Sequence, residues 1–169
     1  KIIFSESVTV TGTPTLTLET GSSDTAVNYS SGSASTILTF VYTVQSGNIS
    51  SDLDYVGTSS LSANGGTIKA TDDGTNATLT LASPGQNGSL GEAKDYVIDG
   101  VLPTSAITYS PAGPYKNGDT VTITSTFSEA MSDSPVPTIA IAGSGIANVA
   151  STNMTKQSTT VYTYSYAVP

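Results

Sequence analysis

Apolar and polar residues alternate along most of this chain with a period of two, the spacing of half-buried β-strands. Leu16 and Leu18 point one way while Thr15, Thr17 and Glu19 point the other. Leu38, Phe40, Tyr42 and Val44 share one face of a second predicted strand, with Ile37 and Val41 on its reverse. Shorter strands are expected in Thr67–Ala70, Ala77–Leu81 and Lys94–Asp99. They are separated by Asn64-Gly65-Gly66, Asp73-Gly74 and Pro84-Gly85, all strong turn formers. Further on, Ile107–Ser110 leads through a turn at Pro114–Gly118 into Asp119–Phe127, with Val121, Ile123 and Phe127 inward. Val136–Ala142, Ile146–Ser151 and Ser158–Val168 complete the strand set. No segment carries a helical i, i+3, i+4, i+7 stripe. Short strands between regular turn signals predict an all-β sandwich.

The pattern also repeats. Phe4-Ser5-Glu6 returns as Phe127-Ser128-Glu129, and Pro14, Leu16 and Leu18 return as Pro137, Ile139 and Ile141, in each case 123 positions later. After a slip of one residue, Leu38, Phe40, Tyr42 and Val44 match Tyr162, Tyr164, Tyr166 and Val168. Self-similarity at about 120 residues predicts an array of modules. The division expected is a first module over residues 1–102 and a second over 103–169. Copy one lacks a counterpart of Pro103–Thr126, and copy two lacks one of Gln45–Leu102, so both sandwiches are expected to be truncated. The connection Asp99–Thr104 is short, and Pro103 holds Leu102 extended, so little freedom is expected there.

Composition removes several functions. Lysine is the only basic residue type, and 5 Lys stand against 13 acidic residues, for a net charge of −8. Such a surface repels a nucleic-acid backbone and an anionic membrane. The chain has no Cys, His or Trp, which excludes Cys/His zinc sites and Cys or His catalysis. An enzyme would depend on Asp, Glu, Ser, Tyr and Lys. No carboxylate sits in apolar surroundings of the kind that tune a general acid, so no enzyme is expected. There is no apolar run of membrane-spanning length.

The stretch Phe4–Gly21, followed by Leu38–Lys69, Ala77–Leu81 and Lys94–Gly100, closely resembles a tandem Ig-like repeat of very large bacterial surface proteins. Those proteins include adhesins and motility-associated surface filaments. The resemblance covers nearly all of residues 1–102, and Thr120–Ile141 looks like a related variant. It implies tandem Ig-like Greek-key β-sandwiches, an extracellular, cell-surface location, and neighbouring modules of the same chain as partners. Other surface proteins or glycans are the remaining candidate partners. The implied role is a structural or adhesive spacer; the alternative is a carbohydrate-binding domain of a secreted enzyme.

Strand parity gives the carboxylates a candidate role. Counting strands pole to pole places Asp52, Asp54 and Asp99 of the first module at the end facing Glu129, and with it Asp133, of the second. Converging carboxylates repel unless a cation lies between them, and oxygen-only ligands suit calcium. The competing reading is solvated loop carboxylates. Asp72-Asp73-Gly74 reads as a hairpin turn, since no closing bidentate Glu follows. Alternating threonines read as outward faces of strands, and Tyr162, Tyr164 and Tyr166 as core. Five Asn-x-Ser/Thr sequons, at Asn28, Asn48, Asn76, Asn87 and Asn153, are expected to be exposed.

Overall fold

The computed structural model describes all residues except 144 and 145. The chain is all-β, built from antiparallel sheets in a sandwich-like half-barrel arrangement, and it divides into two compact units, Lys1–Leu102 and Pro103–Pro169.

In the first unit, β1 (Ile2–Thr11), β2 (Thr15–Leu18), β3 (Thr25–Ser31) and β4 (Ser35–Phe40) carry the long alternating runs. They are followed by β5 (Ile49–Ser50), β6 (Leu61–Ser62), β7 (Thr67–Ala70), a single helical turn α1 (Leu90–Ala93) and β8 (Ile98–Asp99). The main sheet runs β6-β2-β3-β4-β1-β7, and β5 pairs with β8. β3 joins its two halves. Its Leu18-facing end, from Thr25 to Asn28, pairs with β2, and after an irregularity Tyr29 and Ser31 pair with β4. The rolled sheet encloses Leu16, Leu18, Val27, Leu53, Tyr55, Leu61 and Ile98. Val8, Leu38 and Ile68 form a second cluster, and Phe4, Phe40 and Leu79 touch both.

The second unit has β9 (Ser105–Ser110), β10 (Thr120–Phe127), β11 (Thr138–Ile141), β12 (Val149–Asn153), β13 (Thr155–Lys156) and β14 (Val161–Ala167). One sheet runs β13-β14-β10-β9, and β11 pairs with β12. Val121, Ile123, Ser125, Met154 and Tyr162 are buried.

The two units share ladder registers. Ile2 stands opposite Leu38 and Ile3 opposite Ile37; Ser125, 123 positions after Ile2, stands opposite Tyr162, 124 after Leu38. Ser31 faces Thr39 as Thr155 faces Thr163, both shifted by 124. Leu16 faces Val27 as Ile139 faces Thr152.

Inward faces follow the alternation: Leu16, Leu18, Leu38, Val121 and Ile123 are buried, while Thr15, Thr17, Thr39, Thr122 and Thr124 are only half-buried. Phe40, Tyr42, Phe127, Ile139, Ile141 and Tyr164, also expected to be buried, are only half-buried like those threonines. Three further expectations fail. β4 ends at Phe40, leaving Val44 44 % exposed, because the chain turns there: Asn48 N–H donates to Gln45 O, and Asn48 Oδ1 accepts Gln45 N–H. Ala77–Leu81 packs Leu79 and Leu81 inward without forming a strand. Of Lys94–Asp99 only Ile98–Asp99 is strand, since α1 ends just before it with Ser89 capping Glu92 N–H.

Candidate functional site

The carboxylates singled out by sequence do not share one environment. Asp54 is 8 % exposed, directly before the buried Tyr55 and two residues after the exposed Asp52. Its Oδ1 accepts the Tyr55 N–H at 2.8 Å and the Leu90 N–H at 3.2 Å. Its Oδ2 accepts the Gly85 N–H at 3.0 Å. Ser89 and Gly91 add further donors. Burial works to raise the Asp54 pKa, but the Gly85, Tyr55, Ser89 and Gly91 donors outweigh it and hold the carboxyl below the ordinary value. The loop Pro84–Gly91 has little secondary structure of its own, so Asp54 supplies the acceptor that its backbone N–H groups require.

Asp52 approaches the same point. A Cβ built on the buried Gly91 would lie 3.1 Å from Oδ2 of both Asp52 and Asp54. The glycine therefore leaves room for two carboxylates to flank the backbone. Asp99, in β8, is exposed and accepts the Val101 N–H at 3.1 Å, closing a local turn. Glu129 follows β10 in the second unit and is half-buried. Asp133 accepts Lys156 Nζ at 2.6 Å across an exposed surface.

Calcium needs carboxylate oxygens turned toward a common point. Asp54 does not fit that role, because N–H donors already approach both its oxygens. Among the described residues, no group of three or more His, Cys, Asp or Glu side chains stands close enough to hold a metal ion. What the arrangement around Asp54 does chemically is to fix a loop.

Sequence reasoning missed Asn48. It is 8 % exposed, and its Oδ1 accepts both the Tyr42 hydroxyl and the Gln45 N–H, each at 2.9 Å. Its sequon is thus buried rather than exposed, and desolvation raises the Tyr42 pKa. The signal available was weak: Gly47, at φ 86°, marks a turn but not which neighbour it buries. Asp73 accepts the Thr75 N–H at 2.9 Å, and Lys69 faces Asn76 across the turn, which is hairpin geometry.

The second unit offers an aromatic row. Tyr162 is fully buried against Phe127 in an edge-to-face contact, with ring centroids 5.8 Å apart. Tyr166 donates to Ala147 O at 3.0 Å. By contrast, Tyr109 is 60 % and Tyr115 40 % exposed. A shallow groove of about 390 Å³ lies between Thr25–Ser30 and Val41–Gln45 in the first unit. Among the described residues, no helix is long and apolar enough to cross a membrane.

No family model matches the chain, and neither a curated protein nor a solved structure is significantly similar to it.

Proposed function

We propose that the chain is a piece of a tandem Ig-like array serving as a structural and adhesive spacer of a large bacterial surface protein. The supporting observation is the pair of matched ladder registers. Ile2 with Leu38 and Ser125 with Tyr162 are the same strand pairing built twice, about 123 residues apart. Two sequences that preserve register through different side chains point to selection for a stackable shape rather than for one reactive site. The net charge of −8 suits a solvated stalk. In this reading neighbouring modules are the principal partners, and the location is outside the cell.

The test is surface labelling. Antibodies raised against the chain are expected to stain intact producing cells, and deletion of the array is expected to lower attachment. Staining that needs permeabilised cells overturns the reading. A carbohydrate-binding role is the second reading, favoured by the exposed Tyr109 and Tyr115 rings. It requires a glycan-array signal that Tyr109→Ala abolishes.

A further inference from the structure

β10 is hydrogen-bonded along both edges. β14 lies on one side; on the other, β9 places Ser105 opposite Phe127, Ala106 opposite Thr126 and Ile107 opposite Ser125. By register, those three β10 residues correspond to Phe4, Ile3 and Ile2 of β1. β1 has β4 on the first side, but on the second it is bonded only from Ser7 onward, through Thr71 and β7. Among the described residues no strand pairs with Ile2–Phe4 on the edge away from β4. Ile2 and Phe4 already pack on the core, while Ile3 is 75 % exposed. From Ile2 to Ser5 this edge carries no proline and no charge, the features that ordinarily guard an open edge.

We propose that the Ile2–Ser5 edge is a docking seat for an extended, uncharged strand of the β9 type, contributed by another polypeptide segment and adding antiparallel to β1. The proposal rests on reading the two units as copies of one module. The β9–β10 ladder supplies the occupant's chemistry and register. Ser105–Ser110 has no charged residue and alternates polar or small positions with Ile107 and Tyr109. Transferred to β1, the Ile107-like position falls opposite Ile2, the Ala106-like position opposite Ile3, and the Ser105-like position opposite Phe4. Directly opposed residues share a sheet face. The incoming isoleucine thus joins Ile2 on the core side, and the small residue leaves space beside Ile3 outside. Main-chain hydrogen bonds provide affinity, and the alternate side chains fix register. An acidic strand would be disfavoured by the chain's own charge.

The experiment adds a synthetic Pro103–Pro111 peptide to the full chain and follows amide hydrogen exchange by NMR. Thr126 and Ser128 turn their N–H groups toward β9 while Phe127 turns its own to Thr160, so on β1 the equivalent outward N–H groups are those of Ile3 and Ser5. At saturation, one peptide per chain is expected to slow exchange at Ile3 and Ser5 by at least about tenfold. The same peptide carrying Ile107→Asp is expected to have no effect, because a carboxylate would be driven onto the core face. Unchanged exchange at these amides overturns the proposal. So does protection confined to β9, which would indicate simple edge pairing there. Surface labelling is independent of this result, so failure of docking and failure of the spacer reading are distinguishable.

Discussion

Asp54 acts through its hydrogen bonds to the Tyr55 N–H and to the Gly85 and Leu90 N–H groups near the two ends of Pro84–Gly91. Replacing it by Asn puts an NH2 group against donors that need acceptors. Asp54→Asn is therefore expected to cost about 2–3 kcal/mol of unfolding free energy, measurable by urea titration. The pH dependence has a definite sign. The folded-state pKa of Asp54 is depressed, so its stabilisation is complete above the unfolded value of about 3.9 and is lost as pH falls through the lower folded value. Acid unfolding followed by circular dichroism should lose that component in the Asn variant. Tyr162 presents the opposite case. Its hydroxyl is buried without a protein partner among the described residues, and the register-equivalent residue in the first unit is the apolar Leu38. Tyr162→Phe removes an unsatisfied polar group and is expected to be neutral or stabilising, by up to about 1 kcal/mol, in thermal melts.

At the level of elements, the turn closing β3 onto β4 depends on backbone more than side chain. Gly32 has φ 113°, and a Cβ there would overlap the Ile37 carbonyl. Gly32→Ala is expected to destabilise by at least about 2 kcal/mol, seen as a lower denaturation midpoint. Strand existence and facing were legible in sequence wherever alternation was long. Leu16 and Leu18, or Val121 and Ile123, can be buried together in only one register. Ala77–Leu81 alternates just as clearly, yet its packing comes from Leu79 and Leu81 filling the core beneath a loop. Alternation records which side chains are inward, not whether a partner strand is present to make ladder bonds. The same limit hid Asp54: a carboxylate's role depends on which distant N–H groups fold over it, and Gly85 and Leu90 lie more than thirty positions away.

For the whole molecule, three of the acidic side chains already have partners. Asp99 closes its own turn, Asp133 pairs with Lys156, and Asp54 is satisfied by backbone. Exposed pairs such as Lys156–Asp133 contribute little, because water screens them. Melting of the full chain is therefore expected to give the same midpoint in calcium as in chelator, and the Asp54→Asn loss should be equal in both. A calcium-dependent rise in midpoint would show that an ion binds the folded chain.

β3 has a mechanical consequence. Because Thr25–Asn28 is bonded to β2 and Tyr29 and Ser31 to β4, one continuous backbone carries load between the two halves of the main sheet of the first unit. Pulling those halves apart strains two short ladders in series along the same seven-residue strand. With two ladders in series, the weaker of them sets the load at which the halves separate.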